Sequence, residues 1–518
     1  MEVSPQKNPR SVVVIGAGSA GSVVARRLAD AGHTVTVLEA GGPDTNPAIH
    51  DPSRAGELWH SPEDWDYFTV PQPHAANRRL HLPRGKVLGG SHALNAMIWV
   101  RGAEADFAHW AAVSDEEWAW DAVLPIYCDI ERFSGGASAV HGDQGLLDVT
   151  DDYALDPIQA SIIDAAVQEG LPRNPDYNGG DQEGVAQEQV TIRGGERLSS
   201  YRAYLQPVRD RVDVRTGSWV HNLIIDETDA GPRVVGVVYE QGGGRHELRA
   251  DEVVLCAGAI DSPRILLRSG IGPAAELAEV GIRPVHDLPG VGKNLHDHLL
   301  SPVIFGTERP IGPPHEGVSV TQAHHFWKSD SALEVPDTQP IYFSVPIYVD
   351  DQTGSMDGFS LLAGIVSPKA RGSIRLSGPG EHDPLLIDID ALGHEDDVAS
   401  LVASVRQCRR IGAQSALAGA VADGSWGAHE TFPGPSVGDG DDLVDYVRST
   451  AITYHHQVGT CAMGTDENAV VDPRLRVHGL PGVRVADASI MPRITTGNTN
   501  APSVLIGEQA ARFMLAGE

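Results

Sequence analysis

Gly16-Ala17-Gly18-Ser19-Ala20-Gly21 is a stretch of this 518-residue chain whose residue types and spacing suit a definite task, the binding of a dinucleotide pyrophosphate. Gly16 permits a tight turn, Gly18 lets the backbone approach the phosphates, and Gly21 lets a following helix pack closely on the preceding strand. The first helical turn offers unpaired N–H groups and about +0.5 of a charge to the anion. Glu39 lies where a second strand ends. A carboxylate there accepts hydrogen bonds from a ribose 2′-OH and disfavours a 2′-phosphate. A chance glycine-rich turn would account for the glycines but not for the strand, helix, second strand and terminal acid in order.

The elements that must hold these groups are readable around them. Val12 to Ile15 is an apolar run leading into the turn, a helical stretch continues to Ala31, Gly32 stops it, and Thr34 to Leu38 forms the second strand. The irregular stretch 43–83, with Trp59, Trp65 and Tyr67, is long enough to cover a site. A second glycine-rich loop follows at Gly85–Ser91. Glu252 to Cys256 reads as a buried strand feeding Ala257-Gly258-Ala259 and a helix over 262–269. Residues 149–195 are polar and loop-rich, 284–315 mark a crossover, and 339–350 and 372–390 carry strand-like pieces. Val398, Leu401, Val402 and Val405 have the spacing of an amphipathic helix. Near the C-terminus, Val483 to Ala486 is a short strand ending in Asp487-Ala488. A loop from Arg493 to Ala501 then leads to an apolar helix opened by Pro502 and running to about Leu515, with Thr499 or Asn500 as its N-cap. Both ends of the chain are thus expected in one domain.

Composition narrows the partners. With 70 acids against 39 bases, the net charge of −31 disfavours nucleic acid and anionic membranes. Four cysteines without CxxC or zinc spacing read as free thiols in a reducing cytoplasm. The opening MEVSPQKNPR holds no long apolar run, so neither a secretory signal nor a transmembrane span is expected, and the location is expected to be cytoplasmic. His296 and His298 flank Asp297, but without further acids at ligand spacing they are expected to serve structural hydrogen bonds, and no metal site is expected.

Together with GKVLGGSHALN (85–95), GAIDSPRILLRSGIG (258–272), GVGKNLHDH (290–298), YHHQVGTCAMG (454–464) and the run 485–511, the amino-terminal turn resembles the glucose–methanol–choline (GMC) family of flavoprotein oxidoreductases. Within it, the likeness is to the bacterial choline-oxidase-like and hydroxymethylfurfural-oxidase-like alcohol oxidases. The resemblance implies an α/β fold, α+β overall. A Rossmann-like FAD-binding domain would comprise 1–147, 196–299 and 454–518, and a discontinuous antiparallel-sheet substrate domain 148–195 and 300–453. It implies FAD rather than NAD. Gly16, Gly18 and Gly21, with Ser19 and Ala20, would hold the pyrophosphate, and Glu39, with Ala40, the adenosine ribose. Val220 would meet adenine through its backbone. Gly90, Ser91 and Asn95 would line the ribityl–flavin end, Asp487 and Ala488 would meet pyrophosphate and ribityl, and Asn500 would bond the pyrimidine edge. The position that carries a flavin-linking histidine in choline oxidases is Leu94 here, and His92 is two positions away, so the FAD is expected to be non-covalent.

The same resemblance gives the chemistry. His456 falls on the family's active-site histidine and Asn498 on its second active-site position. A neutral imidazole at His456 would take the hydroxyl proton of an alcohol while Asn498 orients the oxygen and the hydride passes to flavin N5. The C-terminal helix would direct its N-terminal partial charge at the flavin N1–O2 edge. His455 is expected to pack beside the base, and Tyr454 either to hinder oxygen or to line the pocket. Leu300 and Ile341 replace the choline oxidases' glutamate and pocket histidine. A cationic alcohol would then lack a counter-charge, which costs several kcal/mol to bury. With Ile347 they suggest an apolar lining. The expected activity is therefore oxidation of a neutral primary alcohol, aromatic or medium-chain, to the aldehyde, with O2 as acceptor and hydrogen peroxide as product. The alternatives are an FAD dehydrogenase using a quinone-type acceptor and a non-redox, hydroxynitrile-lyase-like enzyme. A homodimer is the default expectation for assembly.

Overall fold

The computed structural model describes residues 9–229 and 231–517, so the absence of an apolar leader, read from the first ten residues, falls largely outside the described residues. Two sheets organise the chain. The first is parallel, with strands in the order Asp213–Arg215, Thr34–Leu38, Ser11–Ile15, Glu252–Leu255 and Val483–Val485. Ser11–Ile15 lies in the middle, and the chain leaves it first to one side and later to the other. Val12, Val13, Val14, Val37, Val253 and Val254 are almost wholly buried, as continuous apolar strands in a parallel sheet require. The carboxyl ends of four strands deliver Gly16, Glu39, Cys256 and Asp487 to one edge, the crevice in which open α/β sheets bind ligands.

The helix Ser19–Asp30 covers this sheet and packs on the C-terminal helix Asn500–Ala516. Gly507 permits the close approach, since a Cβ there would lie 2.7 Å from the Ala20 carbonyl oxygen. Arg27 clamps the pair by two hydrogen bonds to Glu508, Nε at 2.9 Å and Nη2 at 2.8 Å. The C-terminal helix starts at Asn500, two residues before Pro502. Thr499 occupies the cap position without a side-chain cap, so neither suggested side chain caps this helix.

The second sheet is antiparallel. Its order is His429–Phe432, Leu299–Gly306, Gly358–Ile365, Ile341–Phe343, Thr321–Phe326 and Gly184–Gln187, with Ile452–Thr453 also paired to Leu299–Gly306. The helix Glu395–Gly412 packs against its central strands. Of the strand-like stretch 339–350 only Ile341–Phe343 is strand, and Ser218–Thr228 forms a strand of 11 residues. The helix expected over 262–269 begins earlier, at Gly258. Cys256, Cys408 and Cys461 are buried, Cys128 is half-buried, and none of the four is in a disulfide. No helix among the described residues is long and apolar enough to cross a membrane.

At the rim of the antiparallel sheet Glu188 is fully buried, accepts a 2.5 Å hydrogen bond from Thr321 Oγ1, and leaves its Oε2 without a protein partner. Burial pushes its carboxyl up to about 8. The folded chain thus holds this proton more tightly than the unfolded chain. The resulting stabilisation is complete below the ordinary glutamate range and is lost as pH rises through about 8. Glu188→Gln, which cannot ionise and keeps an acceptor for Thr321, is expected to flatten the decline of Tm between about pH 5 and 8. Identical Tm slopes for the two proteins would rule this out.

Candidate active site

One cavity of about 550 Å³ runs from the Gly16 turn to His456 and Asn498. Its dinucleotide half is built by close backbone approach. Gly16 has φ +97°, and a Cβ there would meet the Cys256 carbonyl oxygen at 2.5 Å. The two glycine loops touch, so that a Cβ on Gly90 would lie 2.7 Å from the Gly18 Cα. Ser19, Ala20, Ala40, Ser91, Asn95, Val220 and Ala488 also border the cavity. Gly21 does not. A Cβ on it would fall 2.0 Å from the Gly16 carbonyl oxygen, so it serves helix-on-strand packing rather than the expected phosphate contact.

The side chains here are already partly engaged. Glu39 accepts from Ala17 N at 2.9 Å and Gly41 N at 2.8 Å, and it borders the cavity. Burial raises its carboxyl to about 7. Asp487 accepts from Gly258 N at 2.9 Å, Ser262 Oγ at 2.5 Å and Ser489 N at 2.8 Å. Its carboxylate therefore anchors the start of the helix Gly258–Arg268. Asn500 borders the cavity and donates to Ser19 Oγ at 2.8 Å, which ties it to the phosphate turn. Asn95 Oδ1 accepts from Met97 N and Arg197 Nη1. The cradle fits FAD: two glycine turns that no Cβ could share, a helix N-terminus, and an acid at the end of the second strand that borders the cavity. Leu94 lines this cavity, while His92 is fully buried with Nδ1 on Ser200 Oγ at 2.9 Å and Nε2 on Thr191 Oγ1 at 3.0 Å.

The other half rests on an antiparallel ribbon. Leu299 opposes Thr453, Tyr454 N donates to the His298 carbonyl at 2.9 Å, and His296 bridges Val458. This register sets His298 beside His456, with their Nδ1 atoms 3.0 Å apart. His456 N donates to Asp297 Oδ1 at 2.8 Å, and the Tyr454 ring stacks on the imidazole at 4.5 Å. His296 accepts from Ile494 N through Nε2 at 2.9 Å, fixing the loop before the C-terminal helix. On that loop Gly497 has φ +123°, and a Cβ there would strike Val100 Cγ1 at 2.5 Å. Asn498 is thereby delivered with Nδ2 3.3 Å from His456 Nε2, while its Oδ1 accepts from Gln339 Nε2 at 2.9 Å.

These bonds assign the protons. An amide N–H directed at His456 Nε2 makes that nitrogen an acceptor and leaves the ring proton on Nδ1, donated to His298 Nδ1. Burial, aided by His298, His455 and Arg84, holds His456 well below the usual imidazole range, and burial lowers His298 to about 3. Both rings are neutral, and the one lone pair of His456 Nε2 accepts the Asn498 N–H at the edge of the cavity. His455 turns away, with φ +67°, Nδ1 on Thr453 Oγ1 at 2.9 Å and its ring edge-on to Trp59 at 5.0 Å.

A dinucleotide cavity that ends at a neutral imidazole and an amide is the architecture of a flavin-dependent oxidoreductase. Models of the GMC oxidoreductase family match residues 11–300 and 368–507. The chain is similar to an alcohol dehydrogenase [acceptor] of Pseudomonas putida, 37% identical over 97% of this chain and 95% of that one. It is also similar to an oxygen-dependent choline dehydrogenase of Brucella ovis, 37% identical with coverage of 97% and 95%. The crystal structure of pyridoxine 4-oxidase from Mesorbium loti superposes with a TM-score of 0.91 and 35% identity, covering 98% of this chain and 99% of that one. The chain belongs to the GMC oxidoreductase family. Its cofactor is FAD, and its chemistry is the oxidation of alcohols or related CH–OH donors.

Two site groups were not singled out from sequence. His298 was read only as a hydrogen-bonding residue, and its contact with His456 depends on ribbon register. Gln339 lies far from Asn498 in the chain and had no signal at all. By fixing the amide, Gln339 acts as a positioning residue. Gln339→Leu is expected to slow anaerobic flavin reduction about tenfold, roughly one hydrogen bond to a reacting group, with FAD content and Tm unchanged. Wild-type reduction kinetics in this variant would remove Gln339 from the site.

Proposed function

We propose that the protein is an alcohol oxidase acting on a neutral primary alcohol, aromatic or medium-chain, with dioxygen as acceptor. The observation that carries this reading is the convergence of His456 Nε2 and Asn498 Nδ2 at the apolar end of the cavity. Ile98, Leu300, Ile341, Phe343, Ile347 and Leu362 line that end. The acids that border the cavity, Glu39, Asp261 and Asp487, all sit in its dinucleotide half, and Glu188 behind Thr321 holds its proton up to about 8. An alcohol bearing a fixed positive charge would find no ionised partner, at a cost of several kcal/mol.

The bound FAD supplies the hydride acceptor. The protein's part is proton transfer and orientation. The substrate hydroxyl displaces the Asn498 Nδ2–His456 Nε2 contact: His456 Nε2 then accepts the hydroxyl proton, and the released Asn498 N–H, its amide held by Gln339, donates to the substrate oxygen and strengthens that bond as negative charge develops. His298 Nδ1 receives the N–H of His456 and steadies the ring as it becomes cationic. Tyr454 limits ring rotation from one face. The apolar wall excludes water from the transferring proton. Leu94, and a His92 whose nitrogens are both bonded elsewhere, support a dissociable FAD.

His456→Ala is expected to slow anaerobic flavin reduction by ~10² or more while retaining FAD. Near-normal reduction would remove His456 from the chemistry. Because the base works unprotonated and its burial keeps it neutral, reduction should be flat above the ordinary imidazole pKa of about 6.5 and fall only on the acid side of it. A rate still rising between pH 7 and 8 would contradict the assignment, those limits being about half a unit or more above that value. Admitting air to protein reduced by benzyl alcohol should release hydrogen peroxide stoichiometric with aldehyde. Reoxidation only by an artificial quinone would make the enzyme a dehydrogenase instead.

A further inference from the structure

The stretch 59–84, which borders the cavity through Trp59, Trp65 and Arg84, folds back on itself outside the site. Tyr67-Phe68 pairs with His81-Leu82 in a short antiparallel ladder, so His81 stands opposite Phe68 and next to the turn at Asp64–Asp66. His60 comes in from the preceding turn and stacks on His81, with ring centroids 3.9 Å apart. Four donor atoms meet there. His60 Nδ1 lies 2.7 Å from Asp66 Oδ1. His81 Nε2 lies 3.2 Å from the same oxygen and 3.0 Å from Asp64 Oδ2. His60 Nδ1, Asp66 Oδ1 and His81 Nε2 are all within 4.8 Å of one another.

The one N–H on His81 Nε2 reaches both carboxylates only as a shared, three-centre bond, and no Lys or Arg among the described residues forms an ion pair with either acid. The cluster thus gathers two carboxylates around two imidazoles with no cation in direct contact, Arg84 acting on Asp64 only through a longer-range electrostatic interaction. Tetrahedral ligation at about 2.0–2.1 Å places donor atoms about 3.3 Å apart, close to the spacing already present. Imidazole nitrogens with carboxylate oxygens suit a borderline first-row ion, not Mg2+ or Ca2+, which take oxygen ligands.

We propose that His60, Asp66 and His81, with Asp64 beside them, form a binding site for a divalent transition metal ion, zinc being the representative. Three ligands come from the protein, and the exposure of His60 and Asp66 leaves a position for water. The ion's role is to pin the 59–84 wall over the cofactor. Asp64 also accepts from Arg84 N at 2.9 Å, Arg84 donates to the His455 carbonyl, and Trp59 packs on the His455 ring. A metal that locks Asp64 and Asp66 to His60 and His81 therefore restrains two groups that border the cavity, and with them the exit of FAD. The absence of a metal site expected from the His296-Asp297-His298 spacing does not bear on this cluster, whose ligands come from another part of the chain.

The test uses FAD-loaded protein freed of metal by a chelator and then dialysed against Zn2+ alone. One zinc per chain is expected by elemental analysis. His60→Ala and Asp66→Ala, both at exposed positions, should weaken binding by more than about 100-fold, and His246→Ala, a distant exposed histidine, should not. Zinc should also slow FAD release from the wild type and leave both weakened variants unaffected. Tm in the absence of zinc checks that the variants fold. Failure to bind one equivalent, or zinc retained equally by His60→Ala and Asp66→Ala, overturns the site. Stoichiometric zinc with unchanged FAD release overturns its role as a restraint.

Discussion

The structure depends on hydrogen-bonded ladders along both edges of Ser11–Ile15. Thr34–Leu38 pairs on one side and Glu252–Leu255 on the other, each parallel and in register over four or five residues. A strand flanked this way must release its chain at the same end as its neighbours. The turns that follow them therefore converge on one edge whatever their sequences. Close backbone contact completes the arrangement: Gly21 against Gly16, Gly16 against Cys256, Gly90 against Gly18. Each contact excludes a methyl group, so the cradle is defined by missing side chains as much as by those present.

The opposite end of the cavity solves a different problem, that of keeping a base uncharged among other titratable groups. Burial does most of this for His456, and the neighbours reinforce it, since His298, His455 and Arg84 all oppose a positive charge there. The direction of the Asn498 amide then decides which nitrogen carries the lone pair. Neither a helix nor a sheet face presents these groups. The His296–Leu300 and Ile452–Val458 ribbon and a loop fixed by Gly497 and His296 do, which is why small shifts in loop packing would alter proton transfer without disturbing the cofactor half.

What was legible in the sequence was local. The strand, turn, helix and second strand, with the acid at the end, announce themselves because each residue type answers a requirement a few positions away. Residues 485–511 were legible for the same reason. The antiparallel sheet was not. Thr321–Phe326 and Gly358–Ile365 are buried on both faces, which erases the alternation that marks a half-exposed strand. The pairing of His298 with His456 and the reach of Gln339 to Asn498 depend on register between distant segments, and no spacing within either segment encodes that. Gly21 was legible too: the motif assigns it to helix-on-strand packing, and a Cβ there would strike the Gly16 carbonyl oxygen.

The clamp between the first helix and the last has a consequence for biosynthesis. The Arg27 side chain and the surface around Ala20 find their partners in Glu508 and Gly507, and the parallel sheet gains its last edge from Val483–Val485. A nascent chain emerging from the ribosome would therefore hold an incomplete nucleotide fold, with apolar surface uncovered, until the segment from Val483 to Glu508 has emerged. Cofactor capture waits for that segment, and the interval before it is when the growing polypeptide most needs chaperone protection.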